Sequence, residues 1–136
     1  MGNKTKKRTL YFLLPLFILF FSCQEKKTNV KAENTSIEWR KKDWNFGNVI
    51  QGEEVAHTFH FRNTGQSNLF IKKIETGCGC TIANYDKVPV LPGKEGKIEI
   101  TFNSAGRYGK QYKEICIFAN IPEKQTILSF TANVTE

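Results

Sequence analysis

The residues best suited to chemistry are four cysteines, Cys23, Cys78, Cys80 and Cys116. Cys78 and Cys80 flank a single glycine, Gly79. In an extended segment, residues two apart point to the same face, so this spacing sets two sulfurs side by side. Three chemistries fit that arrangement. Two thiolates can hold a soft ion such as Cu(I) with a third ligand, Cys116 or a histidine; a closed zinc site wants four ligands and is less well served. Alternatively, Cys78 and Cys80 close a disulfide across Gly79 and exchange it. Extended neighbours at this spacing lie near or beyond the limit of about 6.8 Å for bridged Cα atoms, so the chain must kink there. Glycine permits such a kink, and a strained bridge is easily reduced. The third chemistry is architectural: one of the pair bridges Cys116 and the other is buried as a small apolar residue. An exported chain meets an oxidising compartment, in which three cysteines allow one bridge and leave one thiol. Architecture is the expected role, with no catalytic residue, metal or cofactor.

Cys23 belongs to a different chemistry. Lys4, Lys6, Lys7 and Arg8 precede an uncharged apolar run from Leu10 to Ser22, the order of the basic and hydrophobic regions of a secretory signal. The run is too short for a bilayer span, which needs roughly twenty apolar residues, and Pro15 weakens it further as a helix. Ser22 and Cys23, followed by Gln24, Glu25, Lys26 and Lys27, resemble a bacterial lipobox, although Phe20 and Phe21 stand where an aliphatic and a small residue are commonest. The expectation is a signal peptide over 1–22 and a lipidated Cys23, whose acyl chains anchor the chain to a membrane at about 0.8 kcal/mol per buried methylene. Gln24, rather than Asp, points to the outer membrane of a Gram-negative cell envelope, by analogy with lipoprotein sorting.

Other reactive side chains form no recognisable constellation. His57 and His60 have opposite parity in one alternating run, so one faces inward and the other outward. Asp86, Glu95 and Glu99 show no paired-carboxylate pattern, and no glycine loop suited to phosphate is present. Lys72–Lys73 and the basic run 110–113 read as solvated faces; Trp39 and Trp44 read as core or rim aromatics. The net charge of +7 falls to about +3 once the four signal-segment cations are removed, which is no footprint for nucleic acid.

The elements that must position these residues are short and alternate with period two. Residues 23–36 hold one valine and one alanine among polar neighbours and read as a flexible tether. From Ile37 to Glu136 the pattern predicts a single folded domain. Val55, His57, Phe59 and Phe61 share one face of a strand; Ile98, Ile100 and Phe102 share one face of another. Runs over 39–49, 69–75, 76–84, 112–118 and 126–134 complete about seven strands, separated by turn residues such as Pro92–Gly93. Eleven Phe, four Tyr and two Trp suit pleated, half-buried surfaces. The fold class read from this is all-β, an immunoglobulin-like antiparallel β-sandwich.

The sequence resembles a bacterial Ig-like family of unknown function, common in envelope lipoproteins and related in fold to sperm-protein and ASH-type sandwiches. The resemblance rests on Phe46-Gly47-x-Val49 before Gly52-Glu53, Phe61-x-Asn63-Thr64-Gly65, Cys78-Gly79-Cys80-Thr81, Pro92-Gly93-x-x-Gly96, Gly109 and Asn120, spread from Trp44 to Val134. It implies a fold and an envelope setting, and it brings no activity. The function expected is a lipid-anchored binding or scaffolding module that contacts an envelope protein without catalysis. The alternative is a thiol redox or copper-handling protein that uses Cys78 and Cys80.

Overall fold

The computed structural model describes residues 33–136; the expected signal segment, the expected lipidation site Cys23 and the expected tether up to residue 32 lie outside the described residues. The alternating runs form β1 (Ile37–Trp39), β2 (Asp43–Ile50), β3 (Glu54–Asn63), β4 (Ile71–Thr76), β5 (Thr81–Tyr85), β6 (Glu95–Asn103), β7 (Gly109–Ala119) and β8 (Gln125–Thr135). They make two four-stranded sheets with strand orders β1-β3-β6-β5 and β2-β8-β7-β4. Parity decides what each sheet buries. Phe59, Phe61, Ile98, Ile100 and Phe102 from the first sheet meet Ile115, Ile117, Leu128, Phe130, Ala132 and Val134 from the second. Phe102 and Phe130 join the layers, with ring centroids 5.2 Å apart.

The fold is the expected sandwich, with two departures. The opening run, expected as one strand from Trp39 to Val49, is two. β1 pairs antiparallel with β3, the chain crosses over at Arg40–Lys42, and β2 pairs parallel with β8 in the other sheet. Among the described residues the sandwich therefore has eight strands and one parallel pair. Nothing in the local pattern marks the crossing, because polar Arg40–Lys42 suit a strand face or a connection equally. The aromatic partners decide it: Trp39 packs on Phe61 of the first sheet at 5.0 Å, and Phe46 on Phe130 of the second at 5.4 Å. A bulge between Asn45 and Asn48 then resets the parity of β2. Gly47, at φ +71°, takes the left-handed conformation there and donates its N–H to Asn45 Oδ1 at 2.8 Å, so Trp44, Phe46 and Val49 all pack on the core.

The second departure concerns the tether, which was expected to run to Ser36. From Glu33 onward the chain is held. Thr35 is buried; its hydroxyl donates to Asn63 Oδ1 at 2.8 Å and its N–H to the Asn120 carbonyl at 2.9 Å. Asn120 Nδ2 in turn donates to the Glu33 carbonyl at 2.8 Å. A polar residue looks like linker in a sequence, yet buried amides elsewhere in the fold need such partners.

Candidate functional site

The segment carrying Cys78 and Cys80 was expected as an extended run; it is instead the turn Gly77–Cys80 that carries the chain from β4 in one sheet to β5 in the other. The turn is closed by the Thr81 N–H on the Cys78 carbonyl at 3.4 Å, with the Thr76 hydroxyl on the same carbonyl at 3.3 Å. Its far end is pinned to β6, where the Asn103 N–H donates to the Cys80 carbonyl at 2.9 Å. The kink brings the two Cα atoms to 5.2 Å, and Cys78 and Cys80 are disulfide-bonded to each other. This corrects the architectural expectation, in which one of them bridged Cys116. Cys80 packs into the core at 8% exposure, while Cys78 is partly buried against its margin. The hydroxyl of buried Thr81 lies 3.8 Å from both sulfurs.

Cys116 is elsewhere. It lies on β7 between the fully buried Ile115 and Ile117, so its own side chain points to the outer face of the second sheet. There it faces Gln125, whose Oε1 is 3.5 Å from the sulfur. Burial pushes its thiol pKa up, Glu75 and Glu114 add to the shift, and Lys73 opposes it. The free cysteine is therefore a poor nucleophile. Bridged, Cys78 and Cys80 offer no thiolate to a soft metal, so the Cu(I) arrangement requires the reduced chain.

Next to the turn lies one of the two edges of the first sheet. β5 is hydrogen-bonded to β6 alone. On its outer face Ile82 is 68% exposed, and the following connection adds Val88 at 69% and Leu91 at 53%. A cleft of about 180 Å³ beside this connection is lined by Ile71, Val90, Leu91 and Lys94 among others.

Residues 37–134 match the family described as Protein of unknown function (DUF1573). This chain belongs to that family. No curated protein matches it. Among solved structures, a protein of unknown function from Porphyromonas gingivalis W83 is similar at a TM-score of 0.66 and 19% identity. The alignment covers 75% of this chain and 48% of that one, so the chain spans about half the length of that relative. The ASH/PapD-like domain 7 of human CEP192 is similar at 0.62 and 12% identity, over 76% of this chain and 87% of that domain. The secreted serine protease VesC of Vibrio cholerae is similar at 0.57 and 15% identity, over 74% of this chain and 23% of the protease. At such identities the likeness is one of fold.

In this DUF1573 domain the remaining sequence candidates divide cleanly. His57 faces inward and is half-buried, stacked on Trp44 with centroids 3.8 Å apart and planes 9° apart; His60 faces solvent. Burial holds the His57 pKa below its ordinary value of 6.5, helped by His60 and Lys41. The two histidines share no site. Glu95 pairs on the surface with Arg40 and Arg62, and Lys73 with Glu75. Asn63 and Asn120, quoted above only as motif letters, are buried clasps. Asn63 Nδ2 donates to the Ser67 and Val90 carbonyls at 2.8 Å each, and its Oδ1 accepts from Thr35 and from the Gly65 N–H. Asn120 Oδ1 accepts from the Phe70 N–H, and its Nδ2 donates to the Asn68 and Glu33 carbonyls. Thr81 and Ile82 were missed as site residues. Thr81 occupies an inward position of β5, and only the turn shows that its hydroxyl meets sulfur.

Proposed function

We propose that this chain is a lipid-anchored module of the cell envelope, at the outer membrane, that works by binding a protein partner through a surface that performs no catalysis. The observation that carries the reading is the unpaired β5 edge flanked by exposed Ile82, Val88 and Leu91. A free edge presents backbone donors and acceptors to an incoming strand, and apolar side chains beside it reward docking. Natural sheets commonly guard such edges with charge; here the outward residues of β5 are Ile82 and Asn84, neither of them charged. The signal-like segment and the Cys23 lipobox support the anchor. Glu33, the first residue with a described contact, is separated from Cys23 by nine residues, a reach of at most about 35 Å when extended. The partner then lies in the membrane or just above it.

Crosslinking in intact cells tests this. The parent chain is expected to give a discrete adduct with an envelope protein. Ile82→Lys should reduce that adduct by about tenfold by placing a charge on the edge, whereas Ile127→Lys on the opposite outer face should leave it intact. Both positions are exposed, so folding is not at stake. Equal adduct from all three chains would remove the β5 edge as the binding surface.

A further inference from the structure

We propose that the Cys78–Cys80 bridge is a thiol–disulfide exchange site, entered by an exported thiol at Cys78 and assisted by the Thr81 hydroxyl. The inference goes beyond the binding reading and does not rest on it. Four observations support it. A bridge between residues two apart closes so short a loop that it constrains little of the unfolded chain, so holding the fold is not its main effect. The two residues are unequal in burial: Cys78 is partly buried at the margin of the core, while Cys80 is a buried core residue. Among the described residues, the sulfurs are the hydrogen-bonding neighbours of the buried Thr81 hydroxyl. A disulfide sulfur is a weak acceptor, whereas a thiolate is a strong, charged one, so opening the bridge improves the partner of that hydroxyl. Finally, Gly77 and Gly79 flank Cys78, and beyond their chain neighbours no heavy atom lies within 4 Å of where a Cβ would stand; neither has a positive φ. The space beside the backbone on either side of Cys78 is therefore unfilled, and a bulkier residue at either place would meet no neighbour from elsewhere in the fold.

The chemistry balances as two displacements. A substrate thiolate attacks Cys78 Sγ; a substrate–Cys78 S–S bond forms, the Cys78–Cys80 bond breaks, and the electron pair leaves on Cys80 Sγ beside the Thr81 hydroxyl. A second substrate thiolate then attacks the substrate sulfur of the mixed disulfide and expels Cys78 as thiolate. The substrate has lost two electrons and two protons to become a disulfide, and the bridge has become two thiols. A low-molecular-weight disulfide reverses the cycle. Cys116, on the outer face of the other sheet with a raised pKa, takes no part.

The test uses the full chain carrying Cys23→Ala and Cys116→Ser, so that Cys78 and Cys80 are the reactive sulfurs left. Reduced glutathione is added without denaturant, samples are quenched in acid and alkylated, and intact masses are read. The bridge is expected to open in the folded chain at millimolar glutathione. With oxidised glutathione, the further change Cys80→Ser should yield a single adduct on Cys78, whereas Cys78→Ser, its remaining thiol in the core, should react about tenfold more slowly. Thr81→Val should slow opening of the intact bridge severalfold. Thermal unfolding of each chain confirms that the comparison is between folded proteins. Equal reactivity of the two serine variants, a bridge that opens only in denaturant, or an unslowed Thr81→Val chain overturns the proposal.

Discussion

Trp44 and His57 meet face to face between the sheets, and that stack ties stability to pH. The folded domain holds the His57 pKa below 6.5, while the unfolded chain takes up its proton near the ordinary value. Below pH 6.5 the unfolded state therefore binds more protons than the folded one. Stability is full above 6.5 and falls as pH drops toward the lower, folded pKa. Thermal midpoints measured between pH 7.5 and 5 should decline in the parent, and His57→Phe, which keeps a ring against Trp44, should flatten that decline. Glu95, held low by Arg40, is protonated only at more acid pH and leaves the window clear. An unchanged slope in His57→Phe would assign the pH dependence to another group. The inward parity of His57 was legible in the alternation of its strand; its aromatic partner was not, because Trp44 lies in the other sheet.

Among elements, the segment before β1 has more effect than its composition predicts. Residues 33–36 join two buried asparagine clasps, through Thr35 to Asn63 and through Glu33 and Thr35 to Asn120, and the Thr64 N–H donates to the Ser36 carbonyl. A chain beginning at Ile37 should be less stable than one beginning at Glu33 by about 3–4 kcal/mol, since each of these four bonds contributes roughly 1 kcal/mol. Paired denaturant titrations measure that difference, and equal midpoints would show the segment to be dispensable. Thr35→Val isolates one contact and should cost about 1–2 kcal/mol. The close approach of Gly96 to Phe61 is a further element-scale constraint: a Cβ on Gly96 would collide with that ring, so β6 can lie across β3 only with glycine there. The disulfide is different in kind. Its three-residue loop contributes roughly 1.5 kcal/mol by the loop-entropy estimate, well below the 2–5 kcal/mol common for bridges in small exported domains.

The whole molecule is a sandwich whose attachment to a membrane depends, in the proposed function, on Cys23. Among the described residues no helix is long and apolar enough to cross a membrane. If the lipid on Cys23 is the anchor, Cys23→Ala should move the chain from the membrane fraction to the soluble one and remove the acyl mass, because the anchor supplies the affinity; an unlipidated variant that still sediments with membranes would overturn the anchor. The sequence by itself determined the all-β class and the inward faces of β3 and β6, because burial on one side of a strand is written locally as period-two alternation. It also carried the kink at Gly79 that any bridge between Cys78 and Cys80 requires. Only the tertiary structure decided which sheet each strand joined, that the opening run divides into β1 and β2, that Cys78 pairs with Cys80 and leaves Cys116 free, and that Thr35 belongs to the fold. Alternation specifies a face and not a partner. The deciding contacts join residues distant in the chain, Thr35 with Asn63 across 28 positions and Glu33 with Asn120 across 87, and no local pattern records them.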